Sequence, residues 1–206
     1  MPKFIAKYSQ ADVDIINREI SYSSFLRVDK LQLRHKLFGD GLSDVIHREL
    51  LVRVSVVGVL LYDPDRDEVV LVRQFRVGGL NEKSSPWMLE LIAGMVDKDE
   101  ALEAAAIRES AEEADCKVIE IARICDYFNS PGVSDEKVTL FCGKVDAKNA
   151  GGIFGLASEH EDIEVVVMAS DDAFKAVDSG AINNAMSIIA LQWLALNKQE
   201  LLRNWQ

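Results

Sequence analysis

The stretch from Lys98 to Ala114 constrains this chain more than any other. Wound at 100° per residue, it puts Ala104, Ile107, Ala111 and Ala114 on one side, which reads as the core face. Glu109, Glu112 and Glu113 gather on the opposite side at spacings of i, i+3 and i+4. Like charges so spaced destabilise a helix by roughly 0.2–0.5 kcal/mol per pair, and no structural gain explains the trio. Leu102, Ala105 and Ala106 share that side, so it is not simply wet. Two readings stand: an acidic solvated face, or a set of oxygen ligands for a hard divalent cation such as Mg²⁺. Arg108, four residues before Glu112, can hold that carboxylate in place.

The charge of the whole chain sharpens the choice. The 206 residues carry 34 acids against 23 Lys and Arg, a formal net charge of −11. Residues 97–115 hold eight acids against Lys98 and Arg108, and residues 156–172 hold six with no Lys or Arg. These two segments account for the entire excess. Two carboxylate clusters brought face to face would repel unless a cation lay between them. An acidic chain without a basic face is no nucleic-acid or anionic-membrane binder. The longest apolar run, Val54 to Tyr62, is far short of the ~20 residues that span a bilayer. The N-terminus lacks a signal-peptide core, and Cys116, Cys125 and Cys142 show no metal-ligand spacing. The chain reads as a soluble cytoplasmic protein with reduced core thiols, long enough to need no staples.

Elsewhere the order is mixed α+β. Partial alternation marks strands at Asp12–Tyr22 and Leu26–Leu37, and a β-branched run extends from Leu50 to Tyr62. The turn Asp63-Pro64-Asp65-Arg66-Asp67 makes a hairpin with Glu68–Phe75, and Trp87–Ile92 is a short strand. Asp97 reads as the N-cap of the acidic helix, with Glu100 as its capping-box partner. Strands follow at Val118–Tyr127, Lys137–Val145 and Ile163–Met168. A short helix starts at a Ser170 cap and stops at Gly180, and a last one runs from about Asn184 to Leu202.

Gly94, Glu100, Arg108-Glu109 and Glu112-Glu113 match the pattern G-x5-E-x7-R-E-U-x-E-E-x-G-U at every spacing, and in this the chain resembles the Nudix hydrolases. Two positions depart from the pattern. Ser110 stands where an apolar residue is usual, and Asp115 replaces the second Gly, which would end the helix in a left-handed conformation. The likeness extends to Arg73-Gln74-Phe75-Arg76, to Pro86-Trp87-x-Leu89-Glu90-x-x-Ala93-Gly94 and to Ser130-Pro131-Gly132, sixteen residues past Asp115. It continues through 155–164 and 182–194, and looks most like the bacterial ADP-ribose pyrophosphatase subfamily.

The resemblance implies a Nudix fold, a mixed β-sheet sandwiched between helices, over 53–206. It also implies a small N-terminal antiparallel β domain over 1–52 that mediates homodimerisation and touches substrate. It implies Mg²⁺ or Mn²⁺, more than one ion per site, held by Glu109, Glu113, Glu161 and the Ala93 carbonyl. Glu112 would be a ligand or near neighbour, Arg108 would orient the glutamates, and Glu100 would be chiefly structural. Glu159 would activate water, with Glu164 a weaker candidate and His160 an exposed bystander. Arg48, Arg76, Glu90, Pro131 and Gly132 would contact substrate; Arg53 and Arg73 could equally be strand-pair partners. Phe25 or Tyr22 could stack on adenine. The implied reaction is hydrolysis of ADP-ribose to AMP and ribose 5-phosphate. Another nucleotide sugar such as GDP-mannose, or a non-catalytic ADP-ribose sensor, are the alternatives.

Overall fold

The structure, a computed structural model, describes residues 6–205, the side chain of Glu159 excepted. By contact the chain divides into two units. One comprises the residues up to Val54 together with Phe128–Glu136; the other comprises Ser55–Tyr127 and Lys137–Gln206. The segment Phe128–Glu136, which a linear reading leaves in the C-terminal domain, thus makes its contacts with the N-terminal residues.

In the first unit, β1 (Val13–Ser23), β2 (Arg27–His35) and β3 (Ile46–Val52) form an antiparallel sheet in that order. Asp29 on β2 has no exposed surface, and it keeps its charge because two arginines reach it. Arg18 Nε donates at 2.6 Å and Arg27 Nε at 2.8 Å, and Arg27 holds the carboxyl below the usual range. The returning segment is pinned where Leu51 N–H donates to the Val133 carbonyl at 2.8 Å. Arg53 pairs with Glu136 at 3.2 Å and lies over the Phe25 ring.

The second unit is built on an eight-stranded mixed sheet. Its strands are β4 (Val56–Asp63), β5 (Glu68–Phe75), β6 (Trp87–Glu90), β7 (Ile92–Met95), β8 (Glu120–Phe128), β9 (Lys137–Lys144), β10 (Gly152–Phe154) and β11 (Ile163–Ala169). The main path runs β10-β11-β5-β4-β9-β8, with β6 on β5 and β7 on β4; β4 and β9 pair in parallel. Alternation along the central strands sends side chains to two cores. Val57, Val59, Leu61, Val70, Val72 and Ile92 pack with Ala105, Ala106 and Ala114 of α1 (Leu102–Ala114). Leu60, Tyr62, Val69, Leu71 and Leu91 pack with Ala173 of α2 (Ser170–Asp178) and with Ala190, Leu191 and Leu194 of α3 (Ala185–Asn204). The result is the mixed sheet sandwiched between helices that the sequence pattern implied.

Several details depart from the sequence reading, among them the stretch Trp87–Ile92, which is split at Leu91 into β6 and β7. The run from Leu50 to Tyr62 is two strands, β3 and β4, broken at 53–55. The acidic helix begins at Leu102 with Ala101 at its N-cap, not at Asp97. Asp99 takes a left-handed φ of 66°, which separates the Asp97–Glu100 turn from the helix proper. Half of the anticipated capping box survives there, because the Glu100 carboxylate accepts from Asp97 N–H at 3.1 Å. The core face of α1 also differs, Ala114 being the one of its four expected residues that is buried. Ala104, Ile107 and Ala111 are exposed, whereas Ala105, Ala106, Ser110, Glu113 and Ala114 are buried. The alanine spacing fits either face, so it could not decide between them. Finally, Ser170 does not cap α2 with its side chain; its hydroxyl donates to Asp67 instead.

Candidate active site

The core face that α1 adopts puts the glutamates where they can work. Ser110 has no exposed surface, and its hydroxyl is satisfied by donating to the Ala106 carbonyl at 2.7 Å. Its neighbours Glu109 and Glu113 are therefore drawn under the sheet, with Glu109's side chain 12% exposed and Glu113 3%. α1 ends at Asp115, whose φ of 50° is the left-handed value a C-terminal Gly would supply. Its N–H closes on the Ala111 carbonyl, so the departure from the sequence pattern leaves the turn intact.

Arg108 organises the carboxylates. Its Nε and Nη2 grip Glu100 at 3.0 Å each, and its Nη1 donates to Glu109 at 2.7 Å and to Glu112 at 2.9 Å. Nη2 also reaches the Met95 carbonyl at 3.2 Å, tying the helix to β7. Glu100 is held below the ordinary carboxylate range, chiefly by Arg108. Glu113 lies beyond this guanidinium and, among the described residues, accepts only the Ala93 N–H, at 3.1 Å. Burial pushes its pKa up to about 8, and the charges of Glu109 and Glu161 push the same way. Burial also raises Glu109, against the pull of Arg108.

Gly94 makes the close packing possible. A Cβ there would lie 1.8 Å from Glu109 Oε1, so only glycine lets the carboxylate rest on β7. The second acidic segment converges on the first, since Glu161 acts electrostatically on both Glu109 and Glu113. Glu161 itself accepts from Leu156 N–H at 3.1 Å. Arg76 is also close enough to act on Glu113, and donates through Nε to Glu90 at 2.8 Å.

Ala93, Glu109, Glu112, Glu113, Arg108, Glu161, Arg76 and Glu90 are thus gathered in the second unit. Three buried or half-buried carboxylates that repel one another are the donor chemistry of a hard divalent cation. Among the described residues no three such groups are drawn together tightly enough to hold one as they stand. The reason is local: Arg108 holds Glu109 and Glu112, and Ala93 N–H holds Glu113.

Other sequence candidates fall elsewhere. Arg48, Pro131 and Gly132 belong to the first unit, where Arg48 and Gly132 line a cavity of about 500 Å³ with Asn17, Lys30, His47 and Glu49. Phe25 is 82% exposed and Tyr22 56%. Glu164 is taken up by a surface ion pair with Arg73 at 2.8 Å, as strand-pair partners would be. His160 is exposed at the left-handed end of a short turn. The side chain of Glu159 lies outside the described residues.

Comparison with known proteins adds to this geometry. Residues 52–186 match the NUDIX domain family. ADP-ribose pyrophosphatase of Haemophilus influenzae is 42% identical over 205 residues, covering 98% of this chain and 94% of that protein. The Escherichia coli ADP-ribose pyrophosphatase is 41% identical over 198 residues, covering 96% and 95%. GDP-mannose pyrophosphatase of Cronobacter sakazakii is 33% identical and covers 87% of each chain. A crystal structure described as an ADP compounds hydrolase superposes with a TM-score of 0.71 at 18% identity, covering 94% of this chain and 98% of that one, which speaks to fold alone.

Proposed function

The chain belongs to the NUDIX family, and on that premise we propose that it hydrolyses the diphosphate of ADP-ribose to AMP and ribose 5-phosphate. The observation that carries this reading is the convergence of Glu109, Glu113 and Glu161 beside Ala93, organised by Arg108. Glu109, Glu113, Glu161 and the Ala93 carbonyl would hold Mg²⁺ or Mn²⁺, more than one ion per site. The ions would neutralise the diphosphate and acidify a water. Glu112 completes the set or stands next to it.

The chain's own residues do the rest. Arg108 fixes the rotamers of Glu109 and Glu112, so the carboxylates need little reorganisation. Glu159, by its position in the loop before β11, takes the proton from the attacking water. Arg76 and Glu90 form a cation–carboxylate pair that can meet a phosphate and a sugar hydroxyl together. From the family resemblance, Arg48, Pro131 and Gly132 would also contact substrate. We further propose a homodimer through the N-terminal domain. Every residue of β1 is exposed, among them Val13, Ile15, Ile16, Ile20 and Tyr22, an apolar strand that soluble monomers rarely leave open. Phe25 or Tyr22 would stack on adenine.

The likeness to a GDP-mannose pyrophosphatase keeps a second substrate in view. Release of the nucleoside monophosphate, AMP or for GDP-mannose GMP, from ADP-ribose, GDP-mannose, NADH and ADP-glucose, with Mg²⁺ and with EDTA, decides between them. EDTA-sensitive turnover led by ADP-ribose is the expected result. Turnover led by GDP-mannose would keep the site and change the substrate. Binding of ADP-ribose without any turnover would make the protein a sensor.

A further inference from the structure

Along β5, Val70, Val72 and Gln74 alternate onto the sheet face that packs against α1, and Arg76 continues the row. The first two are core residues, but Gln74 is an amide only 7% exposed. Its Nε2 has no hydrogen-bond partner among the described residues. Buried polar groups are nearly always paired, so an unmet donor here demands an explanation.

Its surroundings supply one. Gln74 lies opposite Met88 in the β5–β6 register, and Val72 lies opposite Glu90. The salt bridge from Arg76 Nε to Glu90 therefore runs diagonally along the strand pair past Gln74. The short turn Val77–Gly79 closes this end: a Cβ on Gly79 would stand 2.8 Å from Met88 Cε and 3.1 Å from Pro86 Cα. Gln74 is thus walled in by packed neighbours and cannot turn freely to water. Arg76 beside it is 40% exposed in its side chain, so the row opens toward solvent at that end.

We propose that Gln74 is a substrate-binding residue whose Nε2–H donates to an anionic oxygen of the bound diphosphate, alongside the Arg76 guanidinium. The proposal rests on the reading of the protein as a nucleotide-sugar pyrophosphatase. An unpaired amide donor next to a guanidinium, amid so many carboxylates, is placed to accept negative charge and little else. Buried donors kept for a ligand are a recognised source of specificity, because a ligand lacking the matching acceptor leaves them unpaired.

Two variants test this: Gln74→Leu, which deletes the amide at similar volume, and Gln74→Glu, which keeps the shape but carries negative charge. Wild-type turnover in Mg²⁺ is measured first with the substrate panel above; its absence overturns the proposed function, independently of Gln74. With an active wild type, Gln74→Leu is expected to match or exceed its thermal midpoint, since an unmet donor has gone. Its kcat/KM for the preferred substrate should fall roughly tenfold or more, as for a lost hydrogen bond to a charged group. Gln74→Glu should fall further. Loss of thermal midpoint in both variants, with Gln74→Met no better, would assign the amide to the fold and overturn the proposal. So would kcat/KM within twofold of wild type in Gln74→Leu, or a Gln74→Glu variant as active as Gln74→Leu.

Discussion

Glu113 shows how far a single side chain can be displaced from its solution behaviour. Its carboxyl is 3% exposed, accepts one backbone N–H, and has a pKa near 8. A carboxyl whose folded pKa is raised gives full stability below its unfolded value near 4.5, and that stability is lost as pH rises to about 8. At pH 7 the cost is on the order of 3 kcal/mol. Glu113→Gln keeps the acceptor for Ala93 N–H and removes the charge. In EDTA at pH 7 it should melt several degrees above wild type, and the gain should vanish near pH 4. The same variant should lose turnover by orders of magnitude at saturating Mg²⁺. Retained activity, or a lower metal-free midpoint, would show that this carboxylate is not the strained group described here. The sequence carried the identity of Glu113 through its fixed distance from Gly94, Glu100 and Arg108. It did not carry the burial, because Leu102, Ala105 and Ala106 compete with Ala104, Ile107 and Ala111 for the core side of one helix. Gln74 was marked only as a member of the Arg73-Gln74-Phe75-Arg76 likeness; its isolation follows from partners that β6 fails to provide.

At the scale of elements, strands bounded by Gly, Pro and Asp were legible, and the β4–β5 hairpin follows directly from the Asp63–Asp67 turn. There Asp63 Oδ1 accepts from Asp65 N–H at 2.9 Å and Arg66 N–H at 3.2 Å. Boundaries set by a left-handed residue were harder. Asp99 ends the approach to α1 and Asp115 ends the helix itself, each with positive φ. Asp is tolerated there but does not announce it as Gly would. Asp115 also places a negative charge at the negative end of the helix dipole. Asp115→Gly relieves both, against the added freedom of the unfolded chain. We expect it to stabilise by up to ~1 kcal/mol, about 2–4 °C in a chain of this size, with kcat unchanged. A lower midpoint would mean that the Asp115 carboxylate holds something the backbone cap does not. β10 escaped the sequence reading altogether, since three residues between glycines give no period to detect.

Across the molecule, contacts between distant segments decide stability. Lys198 on α3 donates to Asp67 at 2.6 Å, and Ser170 and Tyr62 donate to the same carboxylate at 2.7 and 3.0 Å. Burial would raise the Asp67 pKa, but these three donors outweigh it and the net shift is downward. A depressed folded pKa gives stability that is present above the unfolded value near 3.8 and is lost as pH falls through the folded one. Lys198→Met should therefore melt below wild type at pH 7, with the gap narrowing below about pH 4. A gap independent of pH would assign the loss to the contact of Lys198 Nζ with the Tyr62 ring, 6.0 Å from its centroid. None of this network could be read from sequence, because the donors lie 5 to 131 residues from Asp67 and carry no shared spacing.

The order in which the strands are laid down has a consequence in time. β4 finds its parallel partner only when β9 has been made, and the first unit is completed only by Phe128–Glu136. The same short passage, from Phe128 to Lys144, completes the first unit and supplies the parallel partner of β4. At ~5–20 residues per second, a nascent chain would carry an unpaired β4 edge for roughly 4 to 15 seconds before that passage emerges. β4 is among the most apolar strands in the protein, so this interval is when the chain is most exposed to aggregation and most in need of a chaperone. A polypeptide halted before residue 128 would hold neither unit finished, whereas one released after 144 would have every strand of the first sheet but would still lack β10 and β11 of the second.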